Sequence, residues 1–299
     1  MFVEAFGLRR DPFMDTADPA FYYETLSCAN ARRRLADCLA TGRGLAVIVG
    51  PIGAGKTTLC NAVSADVIER PHIRAGLILD PSFATEEEFV RCIAASLDVD
   101  CRAAATVREV KECLKRALFE SVESGAQYVL FIDEAQLLPE PLFETLRALL
   151  NYQIDERKLL AVALAGQMEL APKLARHPGL SDRVSMWIEI GPLAESEAAA
   201  LLDHRLRVAG FTGDRSPFSA AAASAAWRLS GGLPRRLTAL AREAMEVSAE
   251  RRSRVVDVDD VRDGVHRIPP PSAIALAGSA AVESRPATRR RWPWTWLSP

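Results

Sequence analysis

Short, continuous apolar runs recur along the first two thirds of the chain and alternate with longer stretches of helical periodicity. Strand-like runs cover residues 44–50, 75–80, 128–133 and 159–165, with a shorter one at 186–190. Between the second and third runs, residues 86–124 read as helix, and Thr85 followed by three glutamates predicts an N-cap. Apolar strands that are buried on both faces and separated by helices are typical of a parallel sheet in an α/β domain.

The pattern changes after Pro192, where amphipathic helices follow one another without an intervening strand. They are predicted over residues 195–208, 219–229, 235–251 and 258–266. Beyond three prolines at 269–271 the sequence becomes rich in Ala, Ser, Pro and Arg and loses its period, as in a flexible tail. We therefore predict an α/β domain over residues 1–191, a small all-α domain over 192–268 and a tail over 269–299.

Composition adds limits to this picture. The chain has 299 residues, 49% hydrophobic residues and a formal net charge of −2, which allows a real core and argues against a protein coated with positive charge. The 6 cysteines have no CxxC spacing and there is no His/Cys cluster, so we predict reduced thiols and no metal cluster. No signal peptide and no run of about 18–20 apolar residues is present, which predicts a cytoplasmic protein.

A glycine-rich loop lies between the first predicted strand and a helix predicted from Thr57 to about residue 69. It matches the pattern G-x-x-x-x-G-K-[ST], in which backbone N–H groups surround a polyphosphate at a helix N-terminus. Lys56 is expected to reach the β- and γ-phosphates of ATP, and Thr57 to ligate Mg²⁺. The alternative is a glycine turn that only caps a helix. The predicted nucleotide contacts are Gly50, Pro51, Ile52, Gly53, Ala54, Gly55, Lys56, Thr57 and Thr58.

Two carboxylates, Asp133 and Glu134, follow the third strand-like run. Ligands of open α/β sheets bind at the carboxyl ends of the strands. Asp133 is expected to hold Mg²⁺ with Thr57, and Glu134 to deprotonate an attacking water. An Asp-Glu turn leaving a strand is common by itself, so this prediction depends on its pairing with the glycine-rich loop.

Four further blocks resemble a known family. Residues 6–13 and 17–22 are similar to its N-terminal stretch, residues 164–170 to its "GQPEL" block with Met168 in place of proline, and residues 230–236 to its "SGG.PR" element. Together with the loop and the acidic pair, they resemble the AAA+ ATPases of the general secretion pathway protein A family. That family has relatives in pilus and exopolysaccharide export, and distant cousins among TniB- and TnsC-like transposition ATPases. The resemblance implies a P-loop NTPase fold with a helical lid.

The resemblance also implies residue roles. Gln167 takes the position of sensor 1, which responds to the γ-phosphate or the attacking water, and Arg235 takes that of sensor 2 in the lid. Arg183 is the candidate arginine finger, offered to the ATP of a neighbouring subunit, with Arg176 as its rival. A finger acting between subunits implies a homo-oligomer.

Three functions remain open at this point. The first is an oligomeric ATPase that assembles or remodels a secretion, pilus or exopolysaccharide export machine through its protein components. The second is a DNA-dependent ATPase that selects transposition targets, for which the arginines at 251, 252 and 254 are the basic candidates among many acids. The third is a nucleotide-gated scaffold, against which Glu134 argues. Three arginines and three tryptophans in residues 288–299 fit contact with the inner membrane surface, a docking peptide or no role.

Overall fold

The computed structural model describes residues 2–14, 18–155 and 157–270. The strands are β1 (Leu45–Val49), β2 (Ile73–Ile78), β3 (Gln127–Ile132), β4 (Gln153–Ile154), β5 (Arg157–Lys158), β6 (Leu160–Gly166) and β7 (Val184–Glu189). The helices are α1 (Phe2–Ala5), α2 (Leu26–Ala40), α3 (Lys56–Ile68), α4 (Glu86–Ser96), α5 (Val107–Glu123), α6 (Glu140–Leu149), α7 (Leu170–Ala175), α8 (Pro178–Ser181), α9 (Glu195–Val208), α10 (Ala220–Ser230), α11 (Pro234–Glu250) and α12 (Val258–Val265). Single 3₁₀ turns lie at Pro19–Phe21 and Ala135–Leu137.

A five-stranded sheet in the order β2-β3-β6-β1-β7 forms the centre of the larger domain. All of its neighbouring strands pair in parallel, which confirms the fold class predicted from the uninterrupted apolar runs. Because the strands are parallel, their carboxyl ends lie at one edge of the sheet and their amino ends at the other. The loops after β1, β3 and β6 therefore meet at the same edge.

Helices cover both faces of this sheet. In β1, Leu45, Val47 and Val49 belong to a core that includes α4, α5 and α6, whereas Ala46 and Ile48 belong to a second core with α2 and α3. This alternation follows from the two-residue period of a strand. Every residue of β1 is buried, which explains why the strand has no polar positions.

The stretch at 86–124, predicted as continuous helix, is instead two helices joined by residues 97–106. Asp98 has a left-handed backbone, with φ of 55°, and ends the helical path of α4. The predicted N-cap is confirmed, because Thr85 accepts a 3.2 Å hydrogen bond from the backbone N–H of Glu88. Thr106 caps α5 in the same way within a capping box.

A small antiparallel hairpin, β4–β5, precedes β6 and was not predicted. Its strands have two residues each, which is too short to show a hydrophobic period, and Ile154 is the single apolar residue among the four. The hairpin lies at the amino-terminal edge of the large sheet, since β5 leads directly into β6.

Helices α9–α12 form a third hydrophobic core, at the positions predicted for the all-α domain. The N-terminal segment, which the sequence interpretation grouped with the α/β domain, contributes Phe2, Phe6, Phe13 and Phe21 to this core. Phe13 is only 3% exposed and packs edge-on against Phe218 at 6.1 Å between ring centroids. Each such aromatic side chain contributes about 1.5–3 kcal/mol through burial. The segment is thus packed with the helical domain, while the boundary at residue 191 remains a prediction.

Within the described part of the chain, no helix is both long enough and apolar enough to cross a bilayer. Residues 271–299, which are all but the first two residues of the predicted tail, lie outside the described residues. A role for the arginines and tryptophans of the tail therefore stays a prediction. All six cysteines are free thiols, and burial raises the pKa of Cys60 to about 12.

Candidate active site

The glycine-rich loop connects β1 to α3 at the carboxyl edge of the sheet. Lys56, the first residue of α3, is only 6% exposed and donates 3.0 Å hydrogen bonds from Nζ to the backbone carbonyls of Gly50 and Pro51. Burial lowers the pKa of this amine, and the nearby carboxylates Glu134 and Asp133 partly offset the effect. The cation is therefore held inside the loop by neutral carbonyls, which an anionic ligand can replace.

The loop and the acidic strand end are joined by a direct contact. The Thr57 hydroxyl donates a 2.6 Å hydrogen bond to Oδ2 of Asp133, which is 4% exposed. A hydroxyl oxygen and a carboxylate oxygen side by side are the ligand types that Mg²⁺ prefers, with the remaining positions taken by water and phosphate. No group of three or more His, Cys, Asp or Glu suited to a metal occurs among the described residues. The pair thus fits a magnesium ion that arrives with a nucleotide.

Glu134 begins the turn after β3 in a left-handed conformation, with φ of 46° and ψ of 35°. This backbone costs about 1–2 kcal/mol for a residue with a side chain. Oδ1 of Asp133 accepts a 2.9 Å hydrogen bond from the Glu134 backbone N–H and helps to hold the turn. The strained turn directs the two consecutive carboxylates to different tasks, since Asp133 faces Thr57 while Glu134 contacts the amides described next.

Two glutamine side chains contact the Glu134 carboxylate. Gln136 donates from Nε2 to Oε2 of Glu134 at 2.5 Å, and Gln167 donates to the same oxygen at 3.4 Å. Gln167 follows β6, so the structure brings the predicted sensor 1 residue next to Glu134. Gln136 had no assigned role in the sequence analysis. The only signal available was a polar side chain two residues after Glu134.

The helical domain lies over the loop through α11. The backbone N–H of Arg235 donates a 3.3 Å hydrogen bond to the Gly53 carbonyl. A Cβ atom built on Gly53, where φ is +78°, would lie 2.9 Å from the Arg235 Cβ. Glycine is therefore required where this helix touches the loop. The contact places Arg235, the predicted sensor 2 residue, beside the loop.

Arg183, the first of the two candidate finger arginines, lies away from this site. Arg183 precedes β7 at the amino edge of the sheet, and its carbonyl accepts from the N–H of Leu45 at the start of β1. The five residues of β1 then separate it from the glycine-rich loop by about 16 Å. Arg183 cannot serve its own loop from there, so the structure does not bring it together with the other site residues.

The partners of the two arginines differ. Arg183 donates from Nε to Oδ1 of Asn151 at 3.1 Å, the same oxygen accepts from Nη2, and Nη1 donates to the Gly179 carbonyl. Among the described residues these partners are uncharged. Arg176 forms an ion pair with Glu140 and holds the pKa of that carboxyl below its usual range. Among the described residues, neutral groups thus hold Arg183 in a fixed orientation, whereas Arg176 is paired with a carboxylate.

Comparisons with known proteins agree with this geometry. Residues 39–174 match the AAA domain family. General secretion pathway protein A of Aeromonas hydrophila is 30% identical over 264 residues, which are 87% of this chain and 47% of that protein. The chain therefore spans about half the length of this curated relative.

Solved structures share the fold at low sequence identity. Cdc6p from Pyrobaculum aerophilum superposes with a TM-score of 0.65 at 16% identity, covering 85% of this chain and 71% of that one. The Aeropyrum pernix ORC2 protein gives 0.63 at 16% identity, with 86% and 71% covered. The RuvB motor of Thermotoga maritima gives 0.54 at 18% identity, with 83% and 73% covered. The glycine-rich loop and the acidic strand end thus lie within a region that matches the AAA domain family, and 87% of this chain is similar to general secretion pathway protein A.

Proposed function

We propose that this chain is an ATPase that binds Mg-ATP in the glycine-rich loop and hydrolyses it with Glu134 as the general base. The observation that carries the proposal is the 2.6 Å contact between Thr57 and Asp133, because it joins the loop to the strand end that bears Glu134. Mg²⁺, when bound with the nucleotide, neutralises charge on the β- and γ-phosphates. The remaining steps of the mechanism are carried out by side chains of the protein.

Each side chain has a separable task in this mechanism. Lys56 exchanges its two carbonyl partners for phosphate oxygens, while Thr57 and Asp133 hold the magnesium ion. Glu134 accepts a proton from the attacking water, which is typically worth about 10²–10⁴-fold in rate. Gln167, which contacts Glu134, responds to the γ-phosphate or to the attacking water as sensor 1. Arg235 couples the helical domain to the nucleotide through its contact with the loop.

We further propose that Arg183 completes the site of a neighbouring copy in a homo-oligomer. Its distance from its own loop and its uncharged partners support a role between subunits. Asn151 fixes two of its nitrogens, so little side-chain entropy is lost when the remaining N–H groups meet a phosphate. A finger of this kind contributes about 10³–10⁵ in rate.

For the biological role, we propose assembly or remodelling of a secretion, pilus or exopolysaccharide export machine by this oligomer, in the cytoplasm with the inner membrane surface as a candidate contact. The sequence relative named above supports this choice. The DNA-dependent alternative has less support, because Arg251, one of its basic candidates, is paired with Asp260 and Asp263.

Phosphate release at saturating Mg-ATP tests the proposal. The wild-type protein is expected to turn over ATP, and Glu134→Gln to bind ATP without releasing phosphate. Equal release from both proteins would support a nucleotide-gated scaffold instead. Adding duplex DNA is expected to leave the rate unchanged, and strong stimulation by DNA would favour the second function.

A further inference from the structure

The contacts of Glu134 are unevenly divided between its two carboxylate oxygens. Both Gln136 and Gln167 donate to Oε2, at 2.5 and 3.4 Å. No hydrogen bond from a described residue reaches Oε1. One oxygen is thus saturated by amide donors, and the other is available to a water molecule.

The amide of Gln136 has only one consistent orientation. Its Oε1 accepts a 2.9 Å hydrogen bond from the backbone N–H of Gln167, and a backbone N–H can only donate. The oxygen must therefore face Gln167, which leaves the NH₂ group facing Glu134. A reversed amide would put an N–H against an N–H and an oxygen against a carboxylate, so the usual ambiguity of a glutamine amide does not arise here.

Two neighbouring residues, Lys173 and Gly166, also determine the position of Gln136. Lys173 of α7 donates a 2.5 Å hydrogen bond from Nζ to the Gln136 carbonyl. Gly166, the last residue of β6, leaves room for the amide, because a Cβ there would lie 2.9 Å from Gln136 Oε1. Hydrogen bonds therefore hold Gln136 at its backbone carbonyl and at its amide oxygen, and together they orient its NH₂ group.

We infer that Gln136 is a positioning residue that occupies Oε2 of Glu134, so that Oε1 is the oxygen which takes the proton from the attacking water. The inference rests on the proposed ATPase function and deepens it by naming the atom that acts as base. Because Gln136 binds Gln167 as well, it links the base to the sensor 1 position at the end of β6.

Replacement of the amide by an apolar group of similar length tests the role. Gln136→Met removes the donor to Glu134 and the acceptor for Gln167 but keeps the Lys173 contact to the backbone. We expect kcat to fall about 10- to 100-fold, a part of the about 10²–10⁴ that a general base supplies, while the Kd for a fluorescent ATP analogue stays within about twofold. Gln153→Met is the matched control, since Gln153 is an exposed glutamine at the opposite edge of the sheet.

Gln136→Glu is the second variant and gives a readout that a purely structural role does not move. Its carboxylate keeps an acceptor for the Gln167 N–H and sets a second negative charge against Glu134. Two facing carboxylates share a proton near neutral pH, so we expect the pH of half-maximal kcat to rise by about one unit or more. The shift in the pH profile of kcat can be measured even if Gln136→Met folds poorly.

The outcomes separate the inference from the function on which it rests. Lower kcat at unchanged affinity in Gln136→Met, or an upward pH shift in Gln136→Glu, supports the inference. If Gln136→Met keeps the kcat of the wild-type protein and Gln136→Glu shows no shift in its pH profile, the inference is overturned while the proposed function stands. Lack of ATP turnover by the wild-type protein overturns the proposed function and the inference together.

Discussion

The hydroxyl of Thr57 lies 2.6 Å from Oδ2 of Asp133 and joins two segments that are 76 residues apart in sequence. Both groups are fixed by the ends of buried elements, Thr57 by α3 and Asp133 by β3. The contact therefore needs no rearrangement of the backbone to accept a metal ion. A site prepared in this way pays little ordering entropy when a nucleotide binds.

Lys56→Met is expected to abolish ATP binding without unfolding the protein. The variant lacks the two hydrogen bonds that the Lys56 amine is proposed to donate to phosphate oxygens. Loss of two charge-assisted hydrogen bonds corresponds to an affinity for ATP at least about 10- to 100-fold weaker. The unfolding midpoint is expected to stay the same or rise, because burial already disfavours the charged amine, as the lowered pKa of Lys56 indicates. Titration with a fluorescent ATP analogue and thermal unfolding measure the two effects.

Lys115→Met is the control for this prediction, because Lys115 is a partly exposed lysine of α5 that pairs with Glu112 at 3.5 Å. It is expected to bind ATP as the wild-type protein does. Unchanged ATP affinity in Lys56→Met would refute the assignment of the loop.

Gly53→Ala is expected to weaken nucleotide binding by pushing α11 away from the loop. The added Cβ would lie 2.9 Å from the Cβ of Arg235, and φ at this position is +78°. We expect affinity for an ATP analogue to fall about tenfold, or about 1.4 kcal/mol. Gly125→Ala is the control for a left-handed glycine outside the loop, since Gly125 has φ of +68° and nothing within 4 Å of the added atom, and it is expected to keep the wild-type affinity. Wild-type affinity in Gly53→Ala would mean that the contact with α11 has no role.

Much of this arrangement follows from local sequence. The buried strands are recognisable in the sequence as apolar runs. The glycine-rich pattern predicts where Lys56 and Thr57 lie relative to β1 and α3. The positions of Asp133 and Glu134 are predictable in the same way, because both residues directly follow the apolar run that forms β3. These features need only a strand period, a glycine pattern and the rule that parallel strands end at one edge.

Other features depend on contacts that no local pattern encodes. The break at Asp98 has neither glycine nor proline to mark it, and the β4–β5 hairpin has no apolar period. The N-terminal phenylalanines pack against helices some 200 residues later in the chain, as between Phe13 and Phe218. The role of Gln136 depends on Gly166, which lies in a neighbouring strand of the sheet.

Arg183→Ala is expected to lower ATP turnover about 10³-fold with little change in ATP affinity, because a finger acts on the transition state of the neighbouring site. Arg176→Ala, whose arginine is paired with Glu140, is expected to keep most of its activity. Mixing Arg183→Ala with Glu134→Gln is expected to restore part of the turnover, since intact bases then meet intact fingers. Phosphate release by the separate and mixed variants checks this, and a mixture no more active than its components would argue against a finger between subunits.

Phe13→Ala is expected to destabilise the helical domain by about 3–5 kcal/mol, because a buried aromatic side chain is removed from its core. Met14→Ala, at a neighbouring residue that is 55% exposed, is expected to change stability by less than about 0.5 kcal/mol. Urea unfolding followed by circular dichroism provides the comparison. Equal stability of both variants would show that the N-terminal segment does not stabilise the helical domain.

The central claim is that the loop and the acidic strand end bind one magnesium triphosphate together. Calorimetric titration with a non-hydrolysable ATP analogue, in Mg²⁺ and in EDTA, tests it for the wild-type protein and for Asp133→Asn. We predict tighter binding with Mg²⁺ in the wild-type protein and loss of most of that difference in the variant. The same dependence on Mg²⁺ in both proteins, or no nucleotide binding by the wild-type protein, would contradict the claim.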